Sequence, residues 1–271
     1  MKDDLFCEKL KDIIEQEYEI EVRKIEKSET STDGNVYIIN TDKYVLKIYK
    51  DIEHTKSMVE LHNFLYERKF FLPKVIENKK KKLYTEIGEN QNIVLYSFLR
   101  GKQLKQVKQI SEEKFSKNVT KLANELRRFH DITSGKNIFN LREVPFKNNI
   151  TTERYSTLHF DLTKDNIFYD METDKIGFID FDDAKYGQPI IDVSIACALL
   201  FISKKQGIDI ENMQLFINSY YRDNENLKQK ETSFIKDIVI EWVDYVASGH
   251  EFDTSTKESF EIKKKIIESV L

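Results

Sequence analysis

Apolar residues open this chain at helical spacing and then pass into strand-like runs. Leu5, Phe6, Leu10, Ile13 and Ile14 predict a helix from Asp3 to about Glu17. Strands are predicted through Ile25, over Val36 to Ile39 and over Tyr44 to Tyr49, and Met58, Leu61 and Leu65, with Phe64 beside them, return to helical spacing. Ile93 to Leu99 forms one more apolar run before Arg100-Gly101. Past Gly101 the pattern is mostly helical: Phe115 to His130 is amphipathic through Val119, Leu122, Leu126 and Phe129, and Ile190 to Leu200 reads as a buried helix. Between Ser233 and Ser248, Ile235, Ile238, Val239, Trp242, Val243 and Val246 mark one side of a helix, while Asp237, Glu241 and Asp244 mark another. The expectation is an α+β chain, with a small lobe of mixed sheet and helix over residues 1–99 and a larger, mostly helical lobe over residues 100–271.

One stretch breaks the helical half. Ile167-Phe168-Tyr169 and Lys175 to Ile179 are apolar and aromatic-rich, and they flank the polar turn Asp170 to Asp174, so they predict a β-hairpin. Just before it stands His159-Phe160-Asp161-Leu162-Thr163-Lys164-Asp165-Asn166, which fits H-x-D-L-x-x-x-N, and just after it stands Asp180. A hairpin brings Asn166 and Asp180, at its open ends, close together. That arrangement suits phosphoryl transfer, in which Asp161 takes the proton of an attacking hydroxyl while Asn166 and Asp180 hold a magnesium ion on the phosphates. Taken singly, each of the three is an ordinary loop residue in a chain that is 33% charged. Their joint spacing around apolar strands carries the functional reading.

Composition narrows the class. With 271 residues and 40% hydrophobic content the chain can bury a large core, and its length suits two lobes around a cleft. No apolar run is long enough to cross a membrane and Met1-Lys2-Asp3-Asp4 is no signal-peptide pattern, so a cytoplasmic protein without a membrane partner is expected. The two cysteines, Cys7 and Cys197, sit in apolar helix-like settings and read as reduced core thiols. Lys79 to Lys82 and Lys263 to Lys265 read as solvated runs, and no nucleic-acid partner is expected. Oligomeric state is not legible.

The catalytic segment and the order of the elements around it resemble the aminoglycoside phosphotransferase and choline kinase family, the small-molecule branch of the protein-kinase-like superfamily. The resemblance implies a bilobal kinase-like fold and an ATP- or GTP-dependent O-phosphotransferase with Mg2+ as cofactor. It makes Lys47, in Tyr44 to Tyr49, the lysine on the α- and β-phosphates, and Glu60 the helix carboxylate that pairs with it. Ser31, Gly34 and Asn35 occupy the place of the turn over the phosphates, although this turn has one glycine and also reads as a plain hairpin. Tyr96, Ser97, Phe98 and Leu99 occupy the place of the linker whose backbone meets the purine. Asp192 resembles an aspartate that braces the catalytic loop; the residues themselves suit either an N-terminal helix cap or a hydrogen-bonded brace behind His159. His159 and His130 read as scaffold residues and not as bases.

A small acceptor is favoured over a protein one. Only Phe181 to Gln188 separate Asp180 from Pro189 and the next helix, which leaves little room for a peptide platform, and Phe160 stands where an arginine would grip an activating phosphate. From Asp209 to Asp253 there are ten acidic residues and four basic ones, against a net charge of −4 for the whole chain. An acidic lining built from Asp237, Glu241 and Asp244 would suit an amine-bearing acceptor, an aminoglycoside-type antibiotic foremost. A metabolite such as choline, ethanolamine, homoserine or a sugar is the alternative, Trp242 and Tyr245 offering a cation–π cage for choline. A non-catalytic nucleotide-binding pseudokinase is the competing class.

Overall fold

The protein is described by a computed structural model, which covers residues 2–28, 35–88, 90–106, 112–145, 150, 152–203, 207–222, 224–248 and 254–270. The chain forms two compact units, Met1–Arg100 and Gly101–Leu271.

The first unit is one sheet covered on both faces. Helix α1 (Lys2–Tyr18) leads to β1 (Ile25–Lys27), β2 (Val36–Ile39) and β3 (Tyr44–Tyr49), then α2 (Ile52–Glu67), β4 (Thr85–Gly88) and β5 (Gln91–Ser97). The strands pair antiparallel in the order β1-β2-β3-β5-β4, and Lys47 sits opposite Val36 on one side and Val94 on the other. Alternation along β3 then decides which side chain meets which helix. Leu46 and Ile48 join Ile93, Leu95 and the buried face of α1, Leu10 and Ile14, in one apolar cluster. Tyr49, Val94 and Tyr96 point the other way and pack with Val59 of α2. Helix α2 starts where Asp51 accepts hydrogen bonds from the backbone of Glu53 and His54, satisfying amides that the first turn leaves without partners.

The second unit is largely helical. Strand β6 (Lys102–Gln103), a 3-10 turn (Leu104–Gln106) and α3 (Glu112–Ile132) come first, followed by β7 (Ser156–Leu158), β8 (Ile167–Asp170), β9 (Lys175–Phe178) and β10 (Lys185–Gly187). Helix α4 (Pro189–Phe201), the short β11 (Ile202–Ser203) and β12 (Gly207–Ile208), α5 (Ile210–Tyr221), α6 (Glu225–Thr232), α7 (Ile235–Ser248) and α8 (Thr254–Val270) complete it. Helix α3 buries Val119, Leu122, Leu126 and Phe129, the stripe read from its periodicity, and α4 is buried along nearly its whole length. Strand β6 lies against β8, where Gly101 has φ of 120° and a Cβ would meet the Tyr169 carbonyl oxygen at 2.9 Å. Only glycine fits there. Cys197 is buried, and burial pushes its thiol far up. Among the described residues no helix is long and apolar enough to cross a membrane.

Candidate active site

The hairpin predicted around residues 167–179 is present and sets the geometry of the site. Strands β8 and β9 pair antiparallel from Ile167 opposite Phe178 to Asp170 opposite Lys175. Its turn is closed by Asp170, which accepts hydrogen bonds from the Glu172 amide (3.0 Å) and the Thr173 hydroxyl (2.6 Å). Beyond the open end, the Ile179 amide donates to the Asn166 carbonyl at 2.8 Å, so Asp180 follows directly on the residue paired with Asn166. The Asn166 side-chain amide donates to both the Asp161 carbonyl (2.9 Å) and the Asp161 carboxylate (2.8 Å). This spends the nitrogen of Asn166 on Asp161 and turns its oxygen away. Asp161, Asn166 and Asp180 therefore converge.

Charge accumulates at this point. Burial, together with the nearby carboxylates of Asp183 and Asp180, pushes the Asp161 carboxyl up to about 6, against the lowering effects of His159 and the Asn166 hydrogen bond. Two backbones in the site are left-handed at non-glycine residues, Phe160 and Asp180, each with φ of 67°. Such conformations cost on the order of 1–3 kcal/mol and persist only where surroundings fix them.

Buried hydrogen bonds do the fixing. Asp192, fully buried in the first turns of α4, accepts from the His159 amide (2.7 Å) and the Phe160 amide (2.8 Å). It also accepts from His130 Nε2 at 3.0 Å, and His130 Nδ1 lies 2.7 Å from the Tyr220 hydroxyl. Burial works to raise the Asp192 carboxyl, but these bonds and His159 outweigh it and leave it below the ordinary range. Gln188, and not Asp192, occupies the N-cap of α4, so of the two roles open to Asp192 the structure has the brace. His159 donates from Nε2 to the Ile179 carbonyl at 2.9 Å, which ties the catalytic loop to the residue before Asp180. His130 and His159 are thus scaffold residues.

The residues that the sequence assigns to the nucleotide lie in the first unit. Lys47 is half-buried on the sheet face that packs on α2, with its ammonium 5.6 Å from the Tyr49 ring centre. Glu60 is exposed and makes no hydrogen bond or ion pair among the described residues. The α2 side chains turned to the sheet include Val59 and His62; Glu60 lies two residues, about 200°, from His62 around the helix. The structure therefore does not bring Glu60 to Lys47, because the helix is phased the other way. Ser31 and Gly34 lie outside the described residues, while the Asn35 carbonyl accepts from the Ile48 amide at 2.9 Å. At the end of β5, the amides of Ser97 and Phe98 donate to the carbonyls of Lys74 and Lys43, which leaves the Leu99 amide as a donor without a partner among the described residues.

The acidic side of α7 splits three ways. Asp237 is exposed. Asp244 is exposed too and is bonded to Lys264 of α8 at 2.5 Å. Glu241 is half-buried, its Oε2 has no hydrogen-bond partner among the described residues, and burial and Asp237 raise its carboxyl above the ordinary range. Four residues on, Tyr245 is exposed and its ring centre stands 6.4 Å from that of Phe160, beside the catalytic loop. Trp242 is buried against Phe260 and is core, so it forms no cage with Tyr245.

Residues 140–214, which contain Asp161, Asn166 and Asp180, match the phosphotransferase enzyme family, APH. Among solved structures the chain is similar to spectinomycin phosphotransferase APH(9)-Ia in complex with ADP and spectinomycin, at 16% identity and TM-score 0.66, with 96% of each chain covered. It is also similar to amicoumacin kinase hAmiN in complex with AMP-PNP, Ca2+ and Ami, at 14% identity and TM-score 0.67, over 100% of this chain and 97% of that one. The chain therefore has the fold of these kinases. A third structure, the GDP and kanamycin complex of APH(2")-IIIa, is similar at 12% identity and TM-score 0.66 over 96% of this chain and 98% of that one. No curated protein matches the chain.

The donors at the hairpin's open end are oxygens, the kind a hard divalent cation takes. The Asn166 oxygen faces away from Asp161, and the carboxylates of Asp180 and Asp183 both lie within electrostatic reach of Asp161. Among the described residues no three His, Cys, Asp or Glu side chains form a closed metal cage. Sequence reasoning missed His62 as the α2 residue turned to the lysine's side of the sheet, and it missed Tyr220 behind His130. It also missed Lys185, whose ammonium stands 5.4 Å from the Phe160 ring centre. The signal for His62 was present: it is spaced three and four residues from the apolar Val59 and Met58.

Proposed function

We propose that the protein transfers the γ-phosphate of ATP or GTP to a hydroxyl of a small, amine-bearing acceptor, an aminoglycoside-type antibiotic foremost. The observation that carries the reading is the convergence of Asp161, Asn166 and Asp180 at the open end of the β8–β9 hairpin. Asp161 receives the acceptor hydroxyl's hydrogen bond and takes its proton late in an in-line transfer, since a loose transition state asks for little activation of the nucleophile. A carboxyl raised to about 6 is poised near neutral pH, where a general base is both ionised and basic enough to act. Asn166 and Asp180 would hold magnesium, which supplies charge neutralisation on the β- and γ-phosphates. Lys47 neutralises the α- and β-phosphates, Asn35 with Ser31 and Gly34 covers them, and the linker Tyr96 to Leu99 takes the purine through the Leu99 amide.

For the acceptor, Glu241 and Tyr245 support an amine. A carboxylate oxygen without a partner and an exposed ring four residues on lie on one face of α7, next to Phe160. Structural relatives in complexes with spectinomycin or kanamycin are consistent with that class. One observation favours a second reading, a metabolite acceptor carrying an acid group such as homoserine: Lys185 holds a cation over the Phe160 ring.

The test is nucleoside diphosphate release with magnesium and ATP or GTP across aminoglycosides, choline, ethanolamine, homoserine and simple sugars, with Asp161→Ala as control. Stimulation by one chemical class that Asp161→Ala abolishes identifies reaction and acceptor together. Nucleotide binding without any stimulated turnover would instead favour a pseudokinase.

A further inference from the structure

We infer that Tyr220, on α5, is a positioning residue for the catalytic loop: its hydroxyl donates to His130 Nδ1 and so keeps the imidazole proton on Nε2, facing Asp192. The inference rests on the reading of Asp161 as the base. Every link lies within the second unit. Tyr220, His130 and Asp192 are each no more than 1% exposed, and they join α5, α3 and α4. The Tyr220 hydroxyl lies 2.7 Å from His130 Nδ1, with the rings edge to face at 5.7 Å, and His130 Nε2 lies 3.0 Å from Asp192 Oδ2. That same Oδ2 accepts from the His159 amide, while Oδ1 accepts from the amide of Phe160, the residue before Asp161.

Chemistry sets the direction of each proton. The Asp192 carboxyl is held below its ordinary range, so it is ionised and only accepts, and His130 Nε2 must donate. A charged ring would donate from Nδ1 as well, and the buried phenol proton would then have no acceptor among the described residues. The ring is therefore neutral, Nδ1 accepts, and Tyr220 donates to it. Burial pushes the phenol far up, so this donor keeps its proton. The Arg154 guanidinium bears on the same hydroxyl and opposes that rise; since it can only donate, it faces the oxygen's lone pairs and leaves the phenol proton for His130. Arg154 is held in turn by the fully buried Glu231, its Nη1 3.4 Å from Oε2 and 3.5 Å from Oε1. Without the phenol, the ring could carry its proton on Nδ1. Nε2 would then turn a lone pair on Oδ2, and Asp192 would loosen its hold on the His159 and Phe160 amides together.

The experiment reads the tautomer directly, by nitrogen-15 NMR of the histidine rings in the full chain, with His130→Gln assigning the signals. The unaltered protein is expected to carry the His130 proton on Nε2, with Nδ1 shifted as a hydrogen-bond acceptor, and in Tyr220→Phe the Nδ1 signal should move. Turnover is followed beside it as nucleoside diphosphate release from ATP or GTP with magnesium, and nucleotide affinity by calorimetric titration of their non-hydrolysable analogues. Tyr220→Phe is expected to lower turnover about tenfold, the scale of one buried hydrogen bond left unmade, with nucleotide affinity held within about twofold. Tyr221→Phe is the control, since its ring packs on that of Tyr220 but its hydroxyl donates to Glu231, at 2.8 Å, and not to His130. It should cost comparable stability and leave both the tautomer and, within about twofold, the turnover unchanged. Because Tyr220 acts through Asp192, Tyr220→Phe combined with Asp192→Asn should lose no more turnover than Asp192→Asn alone. A His130 proton on Nδ1 in the unaltered protein, in a neutral or a charged ring, would overturn the inference even if Tyr220→Phe did not fold. So would a Tyr220→Phe turnover no lower than that of Tyr221→Phe. Near-normal turnover in Asp161→Ala would instead overturn the reading of Asp161 on which the inference rests.

Discussion

The catalytic hairpin and helix α2 both carry residues assigned a role by sequence pattern, and they fared differently. At the hairpin the spacing Asp161, Asn166, Asp180 translated into proximity, because a two-strand ladder closed by Asp170 has one register and its open ends must meet. On α2 the same kind of reasoning selected Glu60, which is exposed, while His62 is turned to the sheet face that carries Lys47. A strand has two faces and its apolar residues reveal which one is buried. A helix has a full circle, and placing one charged side chain needs its phase to within about a quarter turn. Sequence chemistry is thus more trustworthy when it sits on a hairpin than when it sits on a helix.

The sharpest way to break the hairpin half of the comparison is to remove its base. Asp161→Ala is expected to keep nucleotide affinity and to lose about 10²–10⁴-fold in turnover, the range of general-base catalysis. Near-normal rates in single-turnover assays would remove Asp161 from the mechanism. In the unaltered protein, turnover should rise with pH through about 6, as the raised carboxyl loses its proton, and then level off.

Next in size is the buried support beneath the hairpin. Asp192 accepts three hydrogen bonds with no exposure, so Asp192→Ala strands two backbone amides and the Nε2 proton of His130. A loss of about 3–5 kcal/mol in denaturant unfolding is expected. A loss under about 1 kcal/mol would mean that the loop holds its left-handed Phe160 by other means.

The active-site carboxylate itself is expected to cost stability. Its folded-state value is raised from 3.8 to about 6, so the ionised form is disfavoured by folding. The destabilisation is absent below about pH 4, where Asp161 is protonated folded or unfolded, grows as pH rises, and is complete above about 6. Asp161→Asn should therefore be more stable than the parent by about 3 kcal/mol at pH 7 and lose that advantage by about pH 4. Equal stability of the two proteins at pH 7 would show that the charge around Asp161 is relieved in the free protein.

How much was legible follows the same division. The order of helices and strands, the stripe of α3 and the hairpin could be read because each rests on local periodicity and turn chemistry. The convergence on Asp192 could be expected only in outline, since it joins α3, α4, α5 and the catalytic loop across as many as ninety residues of chain. Facing on α2 and α7 was not legible, because it depends on which neighbour covers the helix and no local pattern records that. Three carboxylates of α7, alike in sequence, became one exposed residue, one partner of Lys264 and one half-buried residue with a buried oxygen that has no hydrogen-bond partner among the described residues.

That last distinction gives the smallest expected effects and the finest test. Asp244 and Lys264 form an exposed pair, so Asp244→Ala should change stability by no more than about 0.5 kcal/mol and leave acceptor KM where it was. Glu241→Gln keeps the shape and removes the charge; with an amine acceptor, its acceptor KM should rise severalfold while nucleotide KM holds. If the two substitutions moved acceptor KM equally, α7 would act only as a diffuse acidic field, which added salt would screen. If neither did, the cation of Lys185 over Phe160 would become the better guide to the acceptor, and an acid-bearing metabolite the better substrate to try.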